Sequence, residues 1–388
     1  MNEAVEARLR SLTVLIVSHV SSTGPAHELE RYLAPRARQL LFIGHPLRAA
    51  AERRSFAHIR LSDGDVRRRR SLPAWMGSEA ASTPIHVGLT LWWGWREPKA
   101  DLYIGLGGIN AFCGLLLRAA GRVDKVVFWT IDYVPRRFEN RLLDWIYRHI
   151  DSFCAVRSDR VWNLGSRMVE AREQFGNVSP DIRANQITVP MGTDPDVEQP
   201  LPSEIERFTI AFMGNLLRAD QGVEILLEAL PRVLDAVPDA RLLILGDGPH
   251  RANLEALRDR LGLSDRVEFA GAIADHRELL QRLARCAVGV APYGDDPESL
   301  TWVTDPGKPK AYLSAGLPVV ITRVPEIAAD FESRGAGVIS GHSPSELADA
   351  IVQVLAAPDY EHYRERARAM AQDYAWPKLF SAALSATP

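Results

Sequence analysis

The sequence predicts an α/β protein made of two domains in series, each built on a parallel β-sheet. The chain has 388 residues, more than the roughly 100–200 residues of a usual single domain. Short β-branched runs recur along it, each followed by a Gly or polar turn and a longer amphipathic stretch, which is the pattern of βα units. The runs are apolar throughout, as strands buried on both faces of a parallel sheet are.

Eleven strands are predicted from these runs. In the first half they cover 13–18, 101–104, 126–129, 153–156 and 187–189, and in the second half 209–213, 241–245, 266–269, 287–291, 318–321 and 337–339. Segment 56–100 lacks the pattern and is predicted to be irregular. The stretch VPMGTDPDVEQPLPSEIERF has four prolines, which interrupt helices and central strands, so a linker is predicted near 192–206. The first domain then covers 1–195 and the second begins at 206.

Composition excludes several classes of protein. The 46% hydrophobic and 24% charged residues are those of an ordinary globular chain. No apolar run approaches the roughly 18 residues of a membrane span, and the N-terminus is too mixed in charge for a secretory signal, so a cytoplasmic protein is predicted. Cys113, Cys154 and Cys286 lack any metal or disulfide spacing and are interpreted as reduced core thiols.

The net charge of the first half of the chain is positive and that of the second half is negative, which indicates an anionic partner for the first half. Residues 1–200 have 27 basic and 22 acidic side chains, whereas 201–388 have 19 and 27. This excess is too small for bulk nucleic-acid binding, so no nucleic-acid partner is expected.

Two glycine turns are candidate anion sites. Gly24 lies in SHVSSTGPAHELERYL, where it permits close backbone approach and Pro25 suits the first position of a helix with free N–H groups. An ordinary βα turn would look the same. The second turn is IAFMGNLLRADQGVEILLEAL, in which Gly214 follows a strand and Arg218 and Gln221 flank the next helix.

Five fragments of the second half and the linker follow one another in a specific order: VPMGTD, LGDGP, VEFAGAI, AYLSAGLPVVIT and VPEI. In order and spacing they resemble the retaining glycosyltransferases of family 4, also called glycosyl transferases group 1. The resemblance implies the GT-B fold, with two Rossmann-like domains whose parallel sheets face a central cleft. It also implies that a helix at 373–388, after a second domain ending at 372, crosses back to the first domain.

The resemblance implies a substrate class and a division of labour as well. The second domain would hold a nucleotide-diphosphate sugar, the first would bind the acceptor, and the sugar would be transferred with retained configuration. Asp132 ends a first-half strand, where it could orient the acceptor hydroxyl or take its proton. A helix-entry cap would place an Asp there equally well.

The sequence departs from this family at the donor site. Asn215 and Gln221 stand where members usually have Arg and Lys, and Val303 and Ala311 stand where they have two glutamates eight residues apart. Arg218 is a candidate replacement for the missing cations. A loop shift that brings in Glu298 is an alternative for the missing sugar-binding glutamate.

The segment TDPGKPK supplies the other candidates for donor binding. Thr304 and Asp305 offer hydroxyl contacts, and Gly307 allows close backbone approach. Lys308 and Lys310 are predicted to hold the diphosphate at a helix start, with Lys308 acting in catalysis. A surface helix start with two solvated lysines is the alternative interpretation.

Ile273, in the fragment VEFAGAI, completes the donor-binding set. The one Asp-x-Asp string, Asp63-Gly64-Asp65, precedes an arginine run and is typical of a turn. No metal and no cofactor other than the donor are therefore expected.

Three functions remain open on the sequence. The first is a transferase acting on a glycan, a lipid-linked or a small-molecule acceptor, the second a nucleotide-sugar epimerase of the GT-B fold, and the third a non-catalytic partner subunit. Peripheral association with the inner face of the membrane is expected from the four arginines at 67–70 and the tryptophans that follow, at 75, 92, 93 and 95. A solvated charge run, with the tryptophans in the core or in the acceptor pocket, is the alternative interpretation.

Overall fold

The computed structural model describes residues 3–20, 24–47, 53–61, 66–75, 77–176, 178–217, 221–296 and 299–388. The chain divides into two compact units. The first consists of Met1–Pro190 together with Trp376–Pro388, and the second of Met191–Ala375. The chain thus passes between the units earlier than the predicted boundary at 195, and passes back between 375 and 376.

The first unit is built on an eight-stranded sheet in the order β4-β3-β2-β1-β5-β6-β7-β8. Its strands are β1 (Thr13–Val20), β2 (Gln39–Pro46), β3 (Arg54–Leu61), β4 (Val66–Pro73), β5 (Ala100–Leu106), β6 (Val123–Thr130), β7 (Arg160–Asn163) and β8 (Gln186–Thr188). The pairs from β2 through β1 to β8 are parallel, whereas β3 and β4 add an antiparallel hairpin at one edge.

Helices cover both faces of this sheet. They are α1 (Glu3–Leu9), α2 (Pro25–Leu33), α3 (Glu79–Arg96), α4 (Gly108–Ala119), α5 (Arg141–Arg157) and α6 (Arg167–Phe175). Side chains of α3, α4 and α5 join one apolar core on the sheet, and side chains of α1 and α2 join the core on the other face.

Two predictions for the first unit are wrong. The segment 56–100 is regular, because β3, β4 and α3 occupy most of its described residues. The run 153–156 lies in α5: Cys154 and Ala155 are buried while Phe153 and Val156 are exposed, which is the burial period of a helix rather than of a strand. The strand expected there follows as β7.

The second unit has a parallel sheet of six strands in the order β11-β10-β9-β12-β13-β14. They are β9 (Thr209–Met213), β10 (Arg241–Leu245), β11 (Val267–Gly271), β12 (Val288–Ala291), β13 (Val319–Thr322) and β14 (Gly337–Ser340). Each corresponds to a predicted strand. The helices are α7 (Val223–Ala236), α8 (Arg251–Arg260), α9 (His276–Ala284), α10 (Leu300–Val303), α11 (Gly307–Ser314), α12 (Ile327–Arg334), α13 (Pro344–Leu355) and α14 (Tyr360–Asp373).

The predicted linker at 192–206 is bound to the second unit. The Thr193 N–H donates to the Tyr374 carbonyl at 2.9 Å, and the Glu206 N–H donates to the Arg285 carbonyl at 2.7 Å. The Thr193 hydroxyl also donates to the carbonyl of Ala371. The prolines therefore break regular structure without releasing the segment from the unit.

The last helix, α15 (Trp376–Ser385), belongs to the first unit. Phe380 is fully buried and meets the Trp129 ring edge-on, with 5.8 Å between ring centroids. Beyond the helix, the Thr387 hydroxyl accepts a hydrogen bond from Trp162 Nε1 at 3.2 Å. The segment after 375 thus completes a core that begins at α1.

Thr387→Val is expected to lower the free energy of unfolding by about 1–3 kcal/mol, because it leaves the buried indole N–H of Trp162 without an acceptor. Urea unfolding followed by tryptophan fluorescence would measure the change. Ser385→Ala is the matched control, since the Ser385 hydroxyl donates to the Ser381 carbonyl at an exposed position of the same helix. Equal stability of the two variants would contradict the packing described for this segment.

The three cysteines are buried, with two in the first unit and one in the second. Burial raises the pKa of Cys113 and of Cys286 to about 12. No helix in the described part of the chain combines the length and the apolar character of a bilayer span.

Candidate functional site

The second unit has one point where the order of its parallel strands reverses. β9 lies between β10 and β12, so the chain proceeds toward one edge from β9 to β11 and toward the other from β12 to β14. Parallel α/β sheets bind ligands in the crevice at the carboxyl ends of the strands beside such a switch point. The loops after β9 and β12 are therefore the first place to look for a site.

Tyr312 of α11 fixes the geometry of this switch point. Its hydroxyl accepts from the Met213 N–H at 2.9 Å and donates to the Val290 carbonyl at 3.1 Å, so it joins β9 to β12. A Cβ on Gly289 would lie 2.4 Å from the Tyr312 ring. The small residue in β12 is thus required for the tyrosine to enter between the strand ends.

Lys308 lies directly at the switch point. Its Nζ donates to Gln221 Oε1 at 2.7 Å, and lies 4.4 Å from the ring centroid of Phe212 and 5.3 Å from that of Tyr293. A Cβ on Gly214 would lie 3.0 Å from the same Nζ. The predicted residues Gly214, Gln221 and Lys308 are therefore brought together, whereas the two aromatic rings were not predicted.

Glycines hold the neighbouring strand ends at close range. A Cβ on Gly246, after β10, would lie 1.9 Å from the Gly214 carbonyl oxygen, so only glycine fits there. Gly222 has a φ of 74° and is the N-cap residue directly before α7. The N-cap residues of α7 and α11, Gly222 and Pro306, make no side-chain capping hydrogen bond, and N–H groups at a helix start favour an anion.

Lys310 has a different environment from Lys308. Its Nζ donates to Asp305 Oδ2 at 2.5 Å and lies 3.9 Å from the centroid of the Tyr374 ring, with the side chain almost fully buried. Asp305 Oδ2 also accepts from the Met191 N–H at 2.8 Å. Lys310 and Asp305 are thus engaged with each other and with Met191 inside the second unit.

Burial dominates the ionisation of this pair. It raises the pKa of Asp305 and lowers the pKa of Lys310, while the charge of each partner opposes that shift in the other. Thr304 is also buried, and its hydroxyl donates to the Leu300 carbonyl at 2.8 Å. The predicted hydroxyl contacts of Thr304 and Asp305 with a donor therefore have no support in this geometry.

The other predicted donor residues are spread around the strand ends. Asn215 is exposed after Gly214, and Ile273 follows β11, partly buried against the core. Gly307 begins α11, where a Cβ would contact the Met191 side chain at 3.4 Å. Arg218 and Glu298 lie outside the described residues.

In the first unit, Gly24 and Asp132 follow β1 and β6. Gly24 has a φ of 146° and begins α2, and a Cβ there would meet open space. The Asp132 carboxylate accepts a hydrogen bond from the Arg137 guanidinium. Burial alone would lower the pKa of Arg137, but the charge and hydrogen bond of Asp132 oppose this effect, and the pKa of Arg137 is raised. Asp132 is thus held by a cation and does not act as a helix cap. The string Asp63-Gly64-Asp65 lies outside the described residues.

A histidine network lies at the switch point of the first sheet, between β1 and β5. His86 Nε2 lies 3.0 Å from the Ala74 carbonyl, so this nitrogen carries the proton. His86 Nδ1 then accepts from His19 Nε2 at 3.0 Å, and His19 Nδ1 accepts from Asn110 Nδ2 at 3.2 Å. This chain of bonds fixes a neutral tautomer for both rings.

His19 is expected to make stability fall at acidic pH. Burial, with the charges of His86 and Arg137, lowers the pKa of His19 to about 3. Because this lies below the unfolded value of about 6.5, the unfolded state binds the extra proton and the folded state loses stability as pH falls through this window. Replacing His19 with Gln should make the slope of unfolding free energy against pH shallower by at most about 1.4 kcal/mol per pH unit. An unchanged slope would contradict this.

Comparison with known proteins gives a family match over part of the chain and several similar relatives. Residues 207–357 match the family model described as glycosyl transferases group 1. A GDP-mannose-dependent alpha-(1-6)-phosphatidylinositol dimannoside mannosyltransferase of Mycobacterium tuberculosis (strain ATCC 25177 / H37Ra) is 27% identical over 227 residues, 55% of this chain and 54% of that protein. The match therefore spans about half the length of this relative.

Two solved structures are similar over nearly the whole chain. HepE of Anabaena, solved in complex with UDP, has a TM-score of 0.67 at 16% identity, covering 96% of this chain and 100% of its own. Sucrose-phosphate synthase of Thermosynechococcus elongatus has a TM-score of 0.72 at 17% identity, covering 96% and 98%. At these identities the likeness shows the fold alone, and the predicted α/β GT-B fold is confirmed.

Proposed function

We propose that this chain is a GT-B glycosyltransferase whose second unit binds a nucleotide-diphosphate sugar at the carboxyl ends of β9 and β12. The observation that carries the proposal is the position of Lys308, whose ammonium lies at the switch point between Gly214 and two aromatic rings. The family match over residues 207–357 supports the same assignment.

The main catalytic task is to stabilise the leaving nucleoside diphosphate. When the bond between the sugar and the β-phosphate breaks, negative charge grows on that phosphate, and donors positioned in advance lower the barrier. The Lys308 ammonium and the N–H groups in the first turn of α7 would supply them. Gln221 would orient Lys308, since its amide oxygen accepts from Nζ.

We propose a glycan or lipid-linked acceptor bound by the first unit, near Gly24 and Asp132, in a cytoplasmic enzyme. The mannosyltransferase relative is named for a phosphatidylinositol dimannoside, which supports a lipid-linked acceptor. Asp132, held by Arg137, would orient the acceptor hydroxyl. Transfer would retain configuration and need no metal, because Lys308 supplies the positive charge that a metal would otherwise provide.

Two measurements test this function. Thermal unfolding is followed with UDP, GDP and their sugar conjugates, and a nucleoside diphosphate at about 100 times its Kd should add about 2.7 kcal/mol of stability. A radiolabelled sugar nucleotide is then incubated with membrane lipid extract, with and without EDTA. Label transferred to lipid or glycan in EDTA supports the proposal, and the absence of nucleotide binding and of transfer contradicts it.

The same measurements separate the two other functions. An epimerase would interconvert the sugar nucleotide without any acceptor, and a non-catalytic subunit would bind nucleotide without turnover. The absence of the usual glutamates, with Val303 and Ala311 both buried at those positions, is the observation that favours the non-catalytic alternative.

A further inference from the structure

The three helices on one face of the first sheet present an apolar outer surface. α4 packs between α3 and α5, and all three bury their inner sides in the same core. Their outer sides expose large apolar residues, and we call this surface the α3–α4–α5 face. It comprises Trp92, Trp95, Leu116, Leu142, Trp145, Ile146, Phe153 and Val156.

Helix α5 carries the longest part of this face. Leu142, Trp145, Phe153 and Val156 recur at intervals of a helix turn and are about half exposed, at 64%, 51%, 45% and 51%. His149 continues the stripe, with its ring centroid 4.0 Å from that of Trp145. An amphipathic helix normally turns such a stripe toward a core, so one facing outward indicates an interaction surface.

The exposed charged residues within α5 itself have one sign, although Glu139, two residues before the helix, is an exposed acid. Arg141 and Arg157 are exposed at the two ends of α5, and the Arg157 guanidinium lies 6.0 Å from the Phe153 ring centroid. Both acids of α5, Asp144 and Asp151, are buried, and each pairs with an arginine. Among the described residues of α4, and of α3 after its first residue, no acid occurs.

We infer that the α3–α4–α5 face docks on an anionic lipid bilayer. Tryptophans with exposed arginines beside them suit the boundary between headgroups and acyl chains, where the rings enter the apolar layer and the cations meet lipid phosphates. A second copy of the chain is a poorer occupant. A two-fold interface would bring the arginines of this face together with no exposed acid on α5 to pair them.

This surface shares Trp92 and Trp95 with the one expected from the sequence but otherwise differs from it. The side chains of 67–69 lie outside the described residues, and Arg70 forms an ion pair with the buried Glu97 at 2.8 Å. Trp93 is fully buried, and Trp75 lies under the Arg53 guanidinium. Arg70 is thus engaged with Glu97, and the docking inferred here rests on α5, which was not considered for membrane binding from the sequence.

The test is cosedimentation of the full chain with vesicles of equimolar phosphatidylglycerol and phosphatidylcholine, at low and high salt. The parent is expected to bind at low salt and to dissociate as salt rises. Trp145→Glu combined with Phe153→Glu should lower the partition coefficient at least tenfold. Arg141→Gln and Arg157→Gln should each lower it about fivefold, the effect of one basic residue near an anionic surface.

Two control substitutions lie away from the face. Arg31→Gln removes an exposed arginine on α2, across the same sheet, and Leu201→Glu charges an exposed apolar position in the second unit. Both should bind like the parent.

A parent that stays in the supernatant overturns the inference, as do face variants that bind normally. A dimer that becomes monomeric in the Trp145 and Phe153 variant would show instead that a second copy covers the face. Vesicle binding needs no turnover, so its outcome is independent of the proposed transferase activity.

Discussion

Lys308→Ala is expected to weaken nucleoside diphosphate binding about tenfold to a hundredfold, because a hydrogen bond to a charged group contributes about 1.5–3 kcal/mol. The loss in kcat should be larger, since the charge that Lys308 meets is greatest in the transition state. Isothermal titration with the donor nucleotide and steady-state kinetics measure the two effects separately. Folding should be preserved, because the ammonium lies at the strand ends and is not enclosed in the core.

Lys125→Ala is the control for this experiment. Lys125 is an exposed lysine of the first unit that pairs with Asp159 at 3.2 Å, so its removal should change neither Kd nor kcat. If Lys308→Ala also keeps both parental values, the diphosphate is held elsewhere, and Arg218 is the next residue to replace.

Lys310→Met is expected to lower the free energy of unfolding by about 3–5 kcal/mol, because it leaves the Asp305 carboxylate buried and unpaired. The loss should be greatest at neutral pH and smaller in acid, since burial already raises the pKa of Asp305 and protonation would then neutralise it. Urea unfolding at several pH values measures this. The corresponding change at the exposed Arg323–Glu332 pair, Arg323→Gln, should cost less than about 1 kcal/mol.

A double substitution completes this test. Asp305→Leu with Lys310→Met removes both charges together and should cost less than Lys310→Met alone. The opposite result, in which Lys310→Met keeps its stability but loses affinity for nucleotide, would return Lys310 to the donor site that the sequence predicted.

The contrast between the two lysines shows what the sequence could and could not provide. TDPGKPK was correctly predicted to begin a helix, yet residues two apart on a helix point to different sides, which argues against both lysines meeting one ligand. That argument was available without coordinates. Which lysine faces the strand ends was not, because it depends on Asp305, Met191 and Tyr374, which meet only in the folded unit.

The strands of the second unit were predictable because each is a short apolar run between clear turns. Reading a short apolar run as a strand failed at 153–156. These four residues belong to a longer helical pattern that begins at Leu142, and they were interpreted without it. Tyr312 escaped prediction for another reason. Its hydrogen bonds to Met213 and Val290 join residues far apart in the chain, and no local pattern indicates them.

The placement of the cysteines provides a chemical reporter of local opening. A buried thiol with a raised pKa reacts with alkylating reagents only when its surroundings open, because the thiolate is the nucleophile. Cys113 and Cys154 would report on the first unit and Cys286 on the second. Mass spectrometry of the labelled peptides, with and without a nucleotide, would therefore give each unit its own protection rate from one unmodified chain.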